Sequence, residues 1–307
     1  MTPRDCSAHR FRRAGFLAFL LVLLPGFCLS AENPAKLSGA REALSSRNIF
    51  DCADALQRRG GGWCELKGAA IADVFPPNPE PGVQMAMGPR AVIDAWNGAA
   101  FDPARLILYF HGGGHRDYGG NEVYSFNLRK GEWRRLTDPA PVPPPSAETP
   151  CPVPETSPPA SRSYDGIVFS GATQTIWLFP SFYACASRVL LGGREFWEFN
   201  PSSLESRNGL APLGWRKHGS LPSGIQGAFF RTAALPDGRV HVATSNSEHV
   251  FDPRTLAWEH IADIPNRGSG VAVYDPARQL VWTIHDSGLY LGAGHRDAGK
   301  YAPPGPG

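Results

Sequence analysis

The sequence predicts an all-β chain built from repeated, four-stranded antiparallel sheets. Three observations lead to this fold class: an Asp-Pro-Ala-Arg motif that occurs twice, a recurring aromatic-to-tryptophan spacing, and a turn-rich composition. The 307 residues include 34 glycines and 30 prolines, 11% are aromatic and only 19% are charged. Such a composition is typical of many short strands rather than long helices. The net charge of +2 gives no electrostatic basis for nucleic-acid binding.

The N-terminus predicts a signal peptide over residues 1–30. Four arginines precede an uninterrupted apolar run at positions 16–24, and a Pro-Gly pair at 25–26 ends any helix there. Small residues at 28 and 30 occupy the positions that a signal peptidase recognises. A membrane anchor is the alternative, but a bilayer span needs ~20 apolar residues. We therefore expect a periplasmic or secreted protein with no membrane segment after cleavage.

Four cysteines remain after removal of the signal peptide: Cys52, Cys64, Cys151 and Cys185. An even number in an exported chain permits two disulfides, with three pairings open. Cys52 and Cys64 are close in sequence and flank three glycines, so their pairing would close a small loop. We expect the segment around this loop, residues 31–62, to be partly helical.

Turn chemistry and paired aromatics define the repeat. Asp-Pro-Ala-Arg occurs at 102–105 and at 275–278, each time after an aromatic residue and before a β-rich run. Asp-Pro favours a tight turn, so each copy predicts a strand, a turn and a second strand. An aromatic residue that precedes a tryptophan across a short turn predicts side chains packed on neighbouring strands. Three such pairs occur: Phe126 with Trp133, Phe199 with Trp215, and Phe251 with Trp258.

These patterns assemble into three units and the beginning of a fourth. The first unit has predicted strands near Asn97–Phe101, Leu106–His111, Glu122–Phe126 and Glu132–Leu136. The second has them near Gly166–Ser170, Thr175–Phe179, Glu195–Phe199 and Trp215–His218. The third has them near Arg231–Leu235, Arg239–Ala243, Glu248–Phe251 and Ala257–Ile261, and a fourth begins at Gly270–Tyr274 and Leu280–Ile284.

Repeated four-stranded sheets bury both of their faces when they stack around an axis, which is the arrangement of a β-propeller. An immunoglobulin-like sandwich is the alternative, but it would not require the recurring aromatic pairs. We expect about four blades within residues 63–290, followed by an irregular tail at 291–307. The propeller is either part of a longer one or closed by strand exchange, with the segment 63–66 as the outer strand of the fourth unit.

The first unit resembles a blade of the kelch family, which includes the propeller of galactose oxidase-like proteins. Kelch blades have a glycine doublet after the second strand, an aromatic residue on the third and a tryptophan on the fourth, here matched by Gly112–Gly114, Phe126 and Trp133. The second unit has its doublet displaced to 192–193, and the third has none. The resemblance implies a kelch-type propeller and indicates little about chemistry.

Candidate ligand-binding residues follow the glycines of the first unit: His115, Asp117, Tyr118 and Asn121. The loop between strands two and three shares a face with the loops that join successive blades, and such side chains can hydrogen-bond or stack on a sugar. The alternative is a structural role in tying blades together, which a second Gly-His-Arg-Asp at 294–297 favours. Cys151 and Cys185 are expected on this face of one blade, where a disulfide would fix the proline-rich joining loop.

The sequence favours binding over catalysis. The histidines show no metal-ligand spacing, and the sequence lacks a nucleophile elbow and a phosphate-binding loop, so we predict no cofactor and no metal. The leading function is an exported binding or scaffold module for a carbohydrate or a protein partner. The alternatives are a carbohydrate-active kelch enzyme, such as a sugar epimerase or oxidase, and a non-functional fragment of a longer propeller.

Overall fold

Most of the structure consists of antiparallel sheets, as the sequence predicted. The computed structural model describes residues 44–46, 49–68, 70–77, 86–114, 117–140, 146, 154, 156–179, 182–183, 195–202, 214–223, 225, 229–264, 270–285 and 288–291. The predicted signal peptide, His115, Cys151, Cys185 and the tail at 292–307 lie outside these residues.

A small N-terminal unit precedes the sheets. Strands β1 (Leu44–Ser46) and β2 (Cys64–Leu66) pair in parallel, and helix α1 (Ile49–Arg59) connects them. A disulfide joins Cys52 to Cys64, the pairing expected from their spacing. The alternative in which residues 63–66 supply the outer strand of the fourth unit is wrong, because β2 pairs with β1 instead. Parallel pairing requires a crossover, and the helix that fits the local sequence supplies it.

Three complete blades and a three-stranded fourth sheet follow. Blade A contains β3 (Ala99–Asp102), β4 (Ile107–His111), β5 (Val123–Asn127) and β6 (Glu132–Arg135). Blade B contains β8 (Ile167–Ser170), β9 (Thr175–Leu178), β11 (Glu195–Phe199) and β12 (Trp215–Ser220), and the short strands β7 (Ser161–Arg162) and β10 (Phe182–Tyr183) pair beside it. Blade C contains β13 (Arg231–Ala234), β14 (Val240–Ala243), β15 (Ser247–Asp252) and β16 (Ala257–Asp263). Sheet D contains β17 (Gly270–Asp275), β18 (Leu280–His285) and β19 (Gly288–Leu291).

The Asp-Pro-Ala-Arg repeat is a turn between the first and second strands of a sheet. In blade A, one carboxylate oxygen of Asp102 accepts hydrogen bonds from the backbone N–H groups of Ala104 and Arg105, at 2.9 and 3.1 Å. The guanidinium of Arg105 donates to the other oxygen at 2.8 Å. Asp275 makes the same three kinds of bond in sheet D. The motif recurs because one aspartate side chain satisfies the donors of this turn.

The aromatic pairs are cross-strand neighbours on the third and fourth strands of each blade, as predicted. Phe126 is paired in register with Trp133, Phe199 with Trp215, and Phe251 with Trp258. Their ring centroids lie 4.8, 4.9 and 4.8 Å apart. Cross-strand aromatic pairs contribute to the pairing of the strands, so the spacing reports the same packing in every blade.

Successive blades stack face to face, and their first strands lie side by side in the order β3, β8, β13, β17. Blade B shows why both faces of its strands are apolar. Along β9, Ile176 and Leu178 face blade A, whereas Trp177 between them faces blade C. Side chains alternate between the two faces of a strand, and here both faces meet a neighbouring sheet. The fold is therefore a β-propeller arrangement of four-stranded antiparallel blades.

The first and last sheets have different outer faces. The outer face of blade A packs against a preceding segment that contains a 3₁₀ turn at Ile71–Val74 and the short helix α2 (Ala91–Asp94). Sheet D leaves Val271, Val273 and Ile284 between 47% and 53% exposed. Neither α2 nor the third strand of sheet D was predicted from the sequence.

Candidate functional site

The joining face is the end of the blades where each first strand begins and each second strand ends. In blade A, antiparallel pairing of Ala99 with Phe110 brings the residues before β3 beside the glycines after β4. A Cβ atom at Gly112 would collide with the Asn97 side chain and the Ser161 carbonyl, and Gly112 has a φ of 131°. Only glycine fits such a position, which explains the doublet in physical terms.

Asn97 and Ser163 tie the joining loops of blades A and B together. The Asn97 side-chain nitrogen donates to the Ala91 carbonyl at 3.1 Å, and its oxygen accepts from the Ser163 backbone N–H at 3.2 Å. The Ser163 hydroxyl accepts from the Gly98 N–H at 3.1 Å, and the Tyr164 N–H donates to the Trp96 carbonyl at 3.0 Å. The two loops therefore form one hydrogen-bonded surface that is in place before any ligand arrives.

Three of the four residues predicted from the sequence are described by the structure, and they lie in the loop that closes this face. Asp117 is half-buried, and its carbonyl accepts hydrogen bonds from the N–H groups of Met87 and Gly88. Tyr118 is fully buried, with its hydroxyl 2.6 Å from a carboxylate oxygen of Glu122. Asn121 is 2% exposed, and its side chain bonds Ser157, Pro158 and Ala140. The polar atoms of Tyr118 and Asn121 thus have partners inside the protein, and ligand contact by the four predicted residues stays a prediction.

Glu122 is a buried acid that the sequence reasoning missed. It is 1% exposed, and one of its oxygens accepts from both Tyr118 and Tyr124, at 2.6 and 2.7 Å. Burial raises the pKa of Glu122, and its two hydrogen bonds from tyrosines only partly oppose this. Burial together with the charge of Glu122 raises the pKa of both tyrosines. This cluster holds the loop of the joining face to β5 through buried hydrogen bonds.

His111, the last residue of β4, is kept neutral by its surroundings. It is fully buried and packs edge-on against Trp215 of blade B, with ring centroids 5.2 Å apart. Burial lowers the pKa of His111 to about 4, although nearby backbone groups of Glu122 and Pro159 oppose the shift. A histidine in this state acts as a packing group between blades rather than as a charged ligand contact.

Three aromatic residues on the joining face were also missed. Trp96, Tyr164 and Phe229 each precede the first strand of a blade, in blades A, B and C respectively. All three have left-handed backbone conformations, with φ values of 59°, 44° and 61°. Trp96 is 57% exposed, and the other two are half-buried. Two of them carry a sequence signal, because an aromatic, then Asn or Asp, then Gly occurs at 96–98 and again at 164–166.

Asp165 joins three sheets at this face. Its Oδ2 accepts hydrogen bonds from the backbone N–H of Thr232 in blade C, at 3.3 Å, and of Ala272 in sheet D, at 2.7 Å. Asp165 also forms an isolated parallel bridge with Arg231. Burial raises the pKa of Asp165 to about 7, and the two backbone bonds and Arg231 lower it by less. This carboxyl group therefore titrates near neutral pH at the junction of blades B and C with sheet D.

A separate cavity of about 550 Å³ lies at the outer edge of blade A, between residues 73–77 and β6. Arg135 lines it, and its guanidinium donates to the Val74 carbonyl at 3.1 Å and pairs with Asp138 at 3.0 Å. These bonds attach the segment before α2 to the blade. We assign the cavity no role in binding.

Among the described residues, no group of three or more His, Cys, Asp or Glu side chains has a geometry that could hold a metal ion. In that part of the chain, no helix combines the length and apolar character of a membrane span.

No family model and no curated protein matches this chain. Similar solved structures include YjhT, at 13% identity and a TM-score of 0.40, over 62% of this chain and 58% of that chain. An auxiliary nutrient binding protein from Bacteroides ovatus matches at 12% identity and a TM-score of 0.37, over 63% of this chain and 36% of its own. A nidogen/laminin complex matches at 12% identity and a TM-score of 0.38, over 62% of this chain and 56% of that chain. The chain thus spans less than two thirds of the length of each, and the assignment of the fold above rests on the blades themselves.

Proposed function

We propose that this chain is an exported, kelch-type β-propeller module that binds a carbohydrate on its joining face and releases it unchanged. The observation that carries the proposal is the joining face itself, where the exposed ring of Trp96 and two half-buried aromatic rings lie beside hydrogen-bonding groups. The loops that carry these groups are already fixed by Asn97 and Ser163. Ligand sites combine apolar and aromatic surface with a few placed polar groups. Asp117 and His115 belong to the proposal as polar contacts predicted from the sequence.

Two further features support parts of this proposal. The glycines after β4, Phe126 on β5 and Trp133 on β6 occupy the positions that the kelch pattern gives them. The disulfide between Cys52 and Cys64 is consistent with an oxidising compartment, as is the signal peptide predicted over residues 1–30.

The test is a binding screen of the oxidised protein against immobilised neutral and acidic oligosaccharides, followed by recovery of every bound sugar. We expect saturable binding of at least one saccharide class, with the recovered sugar identical in mass and NMR spectrum to the starting material. A folded protein that binds none of the saccharides would contradict the proposal.

A carbohydrate-active enzyme is the second candidate, and Asp165 favours it. A carboxyl group with a pKa of about 7 is suited to proton transfer at neutral pH, and Asp165 lies directly after the half-buried Tyr164 on the joining face. Conversion of the bound sugar that is lost in Asp165→Asn would establish this candidate instead.

A further inference from the structure

A row of aromatic side chains crosses the joining face from blade to blade. The rings of Trp96 and Tyr164 are in contact, with centroids 6.3 Å apart, and those of Tyr164 and Phe229 are 5.2 Å apart. Trp96 and Tyr164 each lie three residues before the first strand of their blade, and Phe229 lies two residues before that of blade C. We call these three residues the aromatic row.

The three residues of the row share one backbone conformation, the left-handed region. The left-handed region is disfavoured for large side chains, and residues held there cluster at ligand sites. All three residues adopt it, with φ between 44° and 61°. Leu106, Gln174, Leu256 and Gln279 in the hairpin turns have similar φ values, so this conformation is a repeated feature of the blades. In the joining loops of three successive blades the residue that adopts it is aromatic.

Polar groups border the row at its centre. The Arg162 guanidinium donates to the Tyr164 hydroxyl at 3.3 Å, and the carboxyl group of Asp165 follows Tyr164 in the chain. A sugar presents an apolar C–H face together with hydroxyl groups. It therefore matches a surface where aromatic rings alternate with donors and acceptors.

The orientation of the rings discriminates between ligand classes. Neighbouring rings are inclined by 58° and 62°, so a flat polycyclic ligand could stack on only one of them. Rings joined by flexible glycosidic bonds can follow the changes of direction. A protein interface typically buries about 1,200–2,000 Å², far more than three side chains offer. The geometry therefore favours a short saccharide chain over a planar ligand or a protein.

We infer that Trp96, Tyr164 and Phe229 form one binding row that takes consecutive rings of an unbranched oligosaccharide. The inference rests on the proposed function. It adds to that function the residues of the protein that contact the ligand and the length of the ligand. A single sugar ring covers only part of the row, whereas a chain of several rings contacts all three aromatic side chains.

The experiment measures the affinity of the oxidised full-length mature protein for glucose and mannose oligomers of one to five rings by calorimetry. We expect affinity to rise roughly tenfold with each added ring until the row is filled, and then to stay constant. Trp96→Ala and Phe229→Ala should each weaken binding of the longest saccharide about tenfold. Tyr164→Phe keeps the ring and should weaken binding of the longest saccharide only about threefold.

Trp63 provides the matched control, because it is an exposed tryptophan, at 94%, in the N-terminal unit. Trp63→Ala should leave the affinity unchanged, and Trp96→Phe should bind more tightly than Trp96→Ala because it retains an aromatic ring. Thermal melts establish whether each variant is folded. If an alanine variant does not fold, Trp96→Phe and Tyr164→Phe still test the row.

The outcomes separate the row from the proposed function. Saccharide binding that does not depend on chain length or on the three aromatic residues would overturn the row and leave the binding function in place. Loss of binding in Trp63→Ala but not in Trp96→Ala would place the site in the N-terminal unit, and would overturn both the row and the joining-face site of the proposed function. A folded wild-type protein that binds none of the oligomers, and none of the saccharides in the screen, would overturn both.

Discussion

Replacing Asp165 with asparagine is expected to remove a pH dependence of stability that the wild-type protein carries. The side chain accepts hydrogen bonds from the backbone N–H groups of Thr232 and Ala272, and asparagine retains an oxygen that can accept both bonds. Asparagine does not ionise. The substitution therefore removes the ionisation of residue 165 while keeping the contacts between blade B, blade C and sheet D.

The magnitude follows from the shift in the pKa of Asp165, from an ordinary value of 3.8 to about 7 in the folded protein. Between these values the folded protein retains a proton that the unfolded chain has released. The free energy of unfolding therefore falls as the pH rises through this window. Between pH 5 and pH 8 the loss amounts to about 2.5 kcal/mol at 1.36 kcal/mol per pKa unit.

The assay is urea unfolding of both proteins at pH 5, 6, 7 and 8, followed by tryptophan fluorescence. Burial lowers the pKa of His111 and of His249 to about 4. Their contribution to the free energy of unfolding therefore falls as the pH falls, which is opposite to the effect of Asp165. Both proteins contain them, so they cancel in the difference. We expect the wild type to lose about 2.5 kcal/mol more than Asp165→Asn from pH 5 to pH 8. Equal losses, within about 0.5 kcal/mol, would refute the reasoning.

Four other variants test the blades and the N-terminal unit. Trp177→Ala should lower the free energy of unfolding by about 3–5 kcal/mol in a urea titration, because the side chain is fully buried between blades B and C. Asp102→Ala should cost about 1–3 kcal/mol by the same measurement, and Asp275→Ala clearly less, because Asp102 is fully buried whereas the Asp275 side chain is 17% exposed. Replacing Cys52 and Cys64 with serine should destabilise the N-terminal unit by about 3 kcal/mol while leaving hydrogen-exchange protection in the blades unchanged, since the bond closes a loop with a sequence separation of only 12.

The blades could be predicted because their signals are local. Asp102 and Asp275 mark turns that their own side chains complete, and the pairing of Phe126 with Trp133 spans a single short turn. In such hairpins the turn fixes the register, so residues near one another in sequence determine the structure.

The features that were missed depend on contacts between segments far apart in the chain. Tyr118 and Asn121 follow a glycine-rich turn and were expected to project outward. The Asn121 side chain instead bonds Ser157, 36 residues further along the chain, and Tyr118 packs in a buried cluster with residues of the segment before β3. The pairing of β2 with β1 likewise depends on a parallel contact across α1, which no turn signal reports. The sequence pointed to the joining face as the candidate site, and ligand binding there stays a prediction. The positions of the aromatic side chains on this face follow from how the blades stack.

Fluorine NMR of the protein labelled with 5-fluorotryptophan at its eight tryptophans tests the central claim most directly. Trp96→Phe and Trp63→Phe assign two of the resonances, and the labelled protein is titrated with the saccharide that binds most tightly. Ligand binding on the joining face predicts that the Trp96 resonance shifts in a saturable manner while that of Trp63 stays in place. A saturable shift of other tryptophans with the Trp96 resonance unchanged would contradict it.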